Sequence, residues 1–399
     1  MEEPLAPTTE PDGSASINFR KPTRLHPYVV CRSHGQTPCG QEVTLNVLTK
    51  IMRIAVIRKE CSLRQGGAER YCANLCRELA ARGHHVYVLA QQMDKDLHPD
   101  LDHVPIRVSS FSSSAKNISF HRNSQRALRQ LHVDRVYALS RSYPADALRV
   151  SDPLHSTWMK LRYRSKWRLF IERLNPRHRT ILSLEKKIFN PANTKVIITN
   201  SKLTKRQVHQ LFGFPQERIH VVYNGVDLKK FSPLGEVVQI SKKVRLLFVG
   251  MEFRRKGLQE LLKGLSLIKH GLLEYSLDIV GKGDEKCFRR MAENFGIAGT
   301  VRFHGPSPMV EEFYRAADLL VFPTRYDPFA NVCLEALACG LPVATTTTNG
   351  AAEIIQDGET GFILFQSLLV GTGAVILAFL TALVAVLAEL LAGNRRLLE

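Results

Sequence analysis

The run from Leu319 to Thr346 constrains this chain more than any other segment. Leu319-Leu-Val-Phe322 is uniformly apolar, as a strand buried on both faces of a parallel sheet would be. Pro323 to Asp327 reads as a loop and Phe329 to Cys339 as a helix. Gly340 suits the position after a helix, and Pro342 prevents its continuation. Val343–Thr346 then predicts the next strand. In such units ligands bind beyond the carboxyl ends of the strands, and two carboxylates, Asp327 and Glu335, fall there. With a rise of ~1.5 Å per residue, Glu335 is expected roughly 10 Å along the axis from Pro328. That separation suits a nucleoside diphosphate sugar, with hexose hydroxyls at Asp327 and ribose hydroxyls at Glu335. The free amides near Phe329, Ala330 and Asn331 would carry the diphosphate. Asp327-Pro328 is equally an N-cap followed by proline at the first helical position, and Glu335 equally a solvated helix residue.

The same alternation pervades the chain. Strand Arg53–Arg58 is followed by a Gly-bearing loop and a helix over Ala68–Arg82, with further strands at Val86–Ala90, Val136–Leu139 and Val196–Thr199. A turn-rich stretch, Tyr223–Pro233, precedes a second series at Val244–Val249, Leu277–Val280, Val301–His304, Leu319–Phe322 and Val343–Thr346. The expected class is α/β, with two Rossmann-like domains whose parallel sheets face across a cleft. Residues 52–228 form the first and 229–399 the second. Residues 1–51 show no periodic pattern and are expected to be a disordered extension, and residues 1–30 lack the apolar core of a secretory signal.

Arg325 to Val343 resembles the retaining glycosyltransferases of family 4, which have the two-domain GT-B fold. Their motif, Glu-Pro-Phe-Gly-(x)4-Glu-Ala-(x)2-Cys-Gly-Leu-Pro, is matched here with Asp327 in place of the first Glu and Ala330 in place of the Gly. Asn224-Gly-Val-Asp227, followed by Phe231 and Pro233, matches the family's signature at the domain junction, and the resemblance runs from Met52 to about Phe362. It implies a donor site in the second domain, with Asp327 on the sugar and Glu335 on the ribose. It also implies that Gly66 and Gly67, in the first βα loop, face the cleft beside the transferred sugar. The turn carrying Gly281 and Gly283 would lie near the nucleoside.

Arg254-Arg255-Lys256-Gly257 follows the first strand of the second domain. Cations at a strand mouth can neutralise a diphosphate and stabilise the charge of its departure, which assigns Arg255 and Lys256 to catalysis beside Asp327. Met251 stands where the family has an arginine. No His, Asp and Cys spacing marks a catalytic metal, so no metal or other cofactor is expected and the nucleotide sugar is a co-substrate. The eight cysteines form no pair of CxxC knuckles and read as reduced thiols in a cytosolic compartment.

A net charge of +18 calls for an anionic partner. Eleven Lys and Arg lie between Arg149 and Lys187, with both tryptophans, Trp158 and Trp167, among them. Basic and aromatic residues together suit an anionic membrane surface, from which salt should release the protein; a solvated basic helix with a tryptophan core face is the plainer account. This segment, with Asn175-Pro-Arg-His178 and Leu184-Glu185, resembles the lipopolysaccharide core glucosyltransferase I branch of the family. That likeness implies transfer of a hexose, glucose by expectation, to a lipopolysaccharide core or related glycolipid, at the inner face of the inner membrane. Nucleic acid is not an expected partner of such an enzyme. The alternative is a catalytically inactive GT-B scaffold acting as a basic membrane- or nucleic-acid-binding protein. No charge occurs from Gly361 to Ala388, and a packed or interfacial helix is expected there rather than a spanning one.

Overall fold

The computed structural model describes residues 51–64, 66–163, 165–233, 243–268 and 274–364. The expected N-terminal extension, apart from Ile51, and the expected C-terminal helix lie outside these residues. Among the described residues, no helix is long and apolar enough to cross a membrane.

Two parallel sheets form the frame. The first holds Arg53–Ile57, His85–Ala90, Leu101–Pro105, Arg135–Ala138, Ala145–Val150, Thr194–Thr199 and Ile219–Val221, arranged 3-2-1-4-5-6-7 when numbered along the chain. The second holds Lys243–Met251, Glu274–Lys282, Val301–Gly305, Leu319–Phe322, Val343–Thr346 and Gly361–Leu364, arranged 3-2-1-4-5-6. In each sheet the order reverses beside the first strand, which creates the crevice where doubly wound sheets take ligands.

Burial explains the apolar runs. Leu246, Leu247 and Phe248 are fully enclosed because helices cover both faces of their strand. The helix Leu258–Leu265 places Leu258, Leu261, Leu262 and Leu265 on one buried stripe, the spacing of a helix laid against a sheet. Strands that escaped the sequence reading are short or polar. Leu101–Pro105 is an edge strand ending in proline, and Ile219–Val221 is the opposite edge. In Ala145–Val150 the polar members have specific duties: Asp146 accepts from the Val136 amide at 2.8 Å, and Arg149 turns inward.

The chain crosses between the sheets after Val221 and enters the second at Lys243. Arg315 pins the crossing segment to the second domain, its Nε donating to the Ser232 carbonyl at 2.9 Å and its Nη2 to the Lys230 carbonyl at 3.0 Å. Glu353 ties the domains together. Its carboxylate accepts from the amides of Lys202 at 2.7 Å and Leu203 at 2.6 Å, the first turn of the helix Lys202–Phe212 in the other domain.

Candidate active site

The carboxylate motif departs from its expected local form. The helix begins at Asn331, with Ala330 as a cap that makes no side-chain bond. Asp327-Pro328 therefore does not start it, and Glu335 lies only about 6 Å along the axis from the first helical residue. The segment before it is held instead by an isolated parallel bridge to Asn349: the Asp327 amide donates to the Thr348 carbonyl at 3.1 Å, and the Gly350 amide to the Asp327 carbonyl at 2.9 Å.

This arrangement changes which amides are free. Asp327 Oδ1 accepts from the Phe329 amide at 3.2 Å, and Asn349 Oδ1 accepts from Ala330 at 3.1 Å. Both residues are buried, so of the three expected phosphate donors only Asn331 remains at the open end of the helix. Asn349 is a hub that sequence reasoning missed. It is fully enclosed, also accepts from the Ala351 amide at 3.1 Å, and donates to Thr345 Oγ1 at 3.0 Å. The Asn349-Gly350 pair, a common turn signal, was the only hint of it.

The cation cluster meets the carboxylate directly. Lys256 Nζ donates to Asp327 Oδ2, and Arg255 Nη1 lies 3.7 Å from the same oxygen while donating to the Tyr326 carbonyl at 3.2 Å. Gly257, at φ +86°, brings Lys256 to this point; a Cβ there would stand 1.9 Å from the Pro323 carbonyl oxygen. Met251 is exposed at the strand mouth and contributes no charge. Glu335 Oε2 accepts from the Tyr314 hydroxyl at 2.8 Å, and burial pushes its carboxyl above the ordinary carboxylate range despite that bond.

Opposite stands the glycine loop. Gly67 opens the helix Gly67–Ala81, and a Cβ on it would come within 3.0 Å of Asn331 Nδ2. Gly66, its cap, sits beside Glu69. Gly281 and Gly283 lie at the end of the neighbouring strand. A Cβ on Gly281 would strike the Gly250 carbonyl at 1.9 Å, and one on Gly283 the Phe253 ring at 2.4 Å, so both have a packing reason to be glycine.

A polar relay joins the two sides. Asn224 Nδ2 donates to Asn331 Oδ1 at 2.6 Å, and Arg149 Nη2 donates to Asn224 Oδ1 at 2.8 Å. Arg149, counted above among the surface-facing basic residues, is only 4% exposed and stacks on Tyr71 at 4.2 Å. Its Nε and Nη1 have no acceptor among the described residues. It borders a cavity of about 210 Å³ at the carboxyl ends of the first sheet, together with Arg58, Lys59 and Arg141. Arg58 is paired with Glu69 at 2.7 Å and Arg141 with Glu185 at 3.5 Å, which leaves Lys59 and Arg149 without a carboxylate partner among the described residues.

The rest of the basic segment forms three helices, and the tryptophans divide. Trp158 stacks on His155 at 5.4 Å, whereas Trp167 points outward. On the helix Lys166–Leu174, Trp167, Phe170, Ile171 and Leu174 are 71, 56, 49 and 58% exposed, and their spacing puts them on one face. A tryptophan core face under a solvated basic helix does not describe this: the apolar face is the open one.

The model for glycosyl transferases group 1 matches residues 236–368, and that for Glycosyltransferase Family 4 matches residues 65–230. The lipopolysaccharide glucosyltransferase WaaG of Escherichia coli (strain K12) is 27% identical over 75% of this chain and 82% of its own. The crystal structure of WaaG superposes with a TM-score of 0.71 at 24% identity, covering 86% of this chain and 94% of that one. The structure of Anabaena HepE in complex with UDP-glucose superposes with a TM-score of 0.60 at 16% identity, covering 87% and 92%. Two family matches, one on each sheet, account for both halves of the molecule. The chain belongs to the GT-B glycosyltransferases, with a family 4 domain followed by a group 1 domain.

Proposed function

We propose that the protein is a retaining hexosyltransferase that moves glucose from a nucleoside diphosphate donor to a lipopolysaccharide core or a related glycolipid. The observation that carries this reading is the convergence of Lys256, Arg255 and Asp327 on one point, facing the Asn331 helix end and the Gly67 loop. The diphosphate lies against Arg255, Lys256 and the Asn331 amide, which hold the charge that develops as the sugar departs. Lys256 exchanges part of its contact with Asp327 for phosphate oxygens. Asp327 then accepts from hexose hydroxyls, and Glu335 accepts from the ribose. No metal is needed where two protein cations stand at the leaving group.

The acceptor enters the cavity of the first domain, where Lys59 and Arg149, without a carboxylate partner among the described residues, favour a glycolipid with an anionic headgroup. The name of WaaG gives such an acceptor, a lipopolysaccharide. The helix Lys166–Leu174 supports residence at the cytoplasmic face of an anionic membrane. Its outward Trp167, Phe170, Ile171 and Leu174 enter the headgroup boundary while Lys166, Arg168 and Arg173 face lipid phosphates.

The test is transfer itself. The full chain is incubated with core glycolipid and each of a panel of nucleoside diphosphate hexoses, and the product linkage is assigned by NMR. UDP-glucose or another diphosphate glucose should give one product with the donor's anomeric configuration. Inversion of that configuration, or transfer from no hexose donor, overturns the reading.

A further inference from the structure

Three of the described cysteines converge where neither the fold nor the transfer site requires it. Cys72 and Cys76 are one turn apart on the helix Gly67–Ala81 and so share a face. Cys61 ends the short strand Glu60–Cys61 and turns its sulfur to the same place. All three are fully enclosed, and their Sγ atoms lie within 4.8 Å of one another. Three sulfurs bound at ~2.3 Å around one ion stand roughly 3.8–4.0 Å apart, so the cluster needs only a small inward movement.

Buried cysteines usually pack as small apolar groups, and Cys333 and Cys339 do so in the other domain. The Cys61 cluster differs in that its three sulfurs converge on one point. The centre is three sulfurs that converge in a dry apolar surround.

We propose that Cys61, Cys72 and Cys76 bind one thiophilic d10 cation, Zn(II) or Cu(I), as a three-sulfur structural site. Binding displaces the thiol protons to solvent, so affinity rises with pH. Soft ligands and a dry apolar surround select such ions over hard ones. Cys61 and Cys72 flank the loop that carries Gly66, so the ion ties both ends of that loop and braces Gly67 against Asn331.

The experiment uses the reduced full chain, with Zn(II) and Cu(I) each offered in competition with a chromophoric chelator. One ion per chain is expected for at least one of them, and the competition identifies which. Cys72→Ser and Cys76→Ser should each abolish that binding, whereas Cys287→Ser should leave it intact. Since a serine in this core can prevent folding, the parent chain is also stripped by a strong chelator and melted before and after reloading. A midpoint that falls on stripping and recovers on reloading is expected. Failure of both ions to compete with the chelator overturns the proposal, as does stoichiometric binding that survives Cys72→Ser in a folded chain. A midpoint indifferent to stripping overturns its structural part. None of these measurements depends on sugar transfer.

Discussion

Lys256 donates to Asp327 across 71 residues of sequence, and the contact joins the end of one strand to the loop after another. Both side chains are mostly buried, so each is the other's principal counter-charge. A donor diphosphate must therefore share Lys256 with Asp327.

Removing one partner exposes that dependence. Lys256→Ala should lower kcat/KM on the order of 10²–10³-fold, the scale for losing one preorganised donor at a developing charge. It should also cost about 1–3 kcal/mol of stability, because among the described residues Asp327 keeps only Arg255, at 3.7 Å, as a cationic partner. A double-mutant cycle with Asp327→Asn, read by denaturant unfolding, should give a coupling of roughly 0.5–3 kcal/mol. Asp327→Asn by itself should reduce kcat more than donor affinity, since hexose positioning matters most at the transition state. An unchanged kcat would mean that Asp327 only holds the Phe329 amide and the loop.

Glu335→Gln should raise the donor KM and stabilise the unliganded fold at neutral pH. Burial raises the Glu335 carboxyl in the folded protein, so the folded state binds its proton more tightly than the unfolded chain does. That contribution to stability is complete below about pH 4.3, the unfolded value for Glu, and is lost as pH rises through the folded value. Thermal melts from pH 4 to pH 8 should show parent and variant diverging as pH increases, with the variant higher.

The pair beneath the apolar helix responds in the opposite direction. His155 Nε2 lies 2.9 Å from His178 Nδ1, and burial, then the His178 charge, lower the His155 imidazole to about 4. A depressed histidine gives stability that is present above about pH 6.5 and lost as pH falls toward the folded value. His155→Gln should flatten this acidic limb of the melting profile. A difference between parent and variant midpoints that stays constant from pH 7 to pH 4.5 would contradict the assignment.

Trp167→Glu combined with Phe170→Glu should release the protein from vesicles containing anionic lipid without impairing transfer to a soluble acceptor analogue. High salt should release the parent only in part, because screening weakens the Lys and Arg contacts but not the buried rings. Complete release by salt, with no effect of the double substitution, would restore the purely electrostatic account drawn from sequence.

Much of the frame was legible because parallel strands buried on two faces spell themselves out: Leu319–Phe322 and Val343–Thr346 were read with their observed limits. Ala145–Val150 was not, since its Asp146 and Arg149 interrupt the apolar run to serve Val136 and Asn224. The acidic motif was visible, but not the helix start at Asn331, because Asn349 lies 19 residues beyond the Ala330 amide it satisfies. Spacing could not reveal that Cys61 meets Cys72 and Cys76. Composition also could not separate Arg149, which points inward, from Arg168 and Arg173 on an exposed helix.

The helix Lys202–Phe212 of the first domain has three amides in its opening turn to satisfy. Its own Ser201 accepts from Thr204 at 3.1 Å, while the other two depend on Glu353 of the second domain. If the domains rotate apart, that helix end loses its anion and two amides pass to water. If they come together, the carboxylate returns to the positive pole of the dipole. Separation of the domains and the intactness of one helical turn are therefore a single coordinate, and amide exchange at Lys202 and Leu203 should report how often the cleft opens.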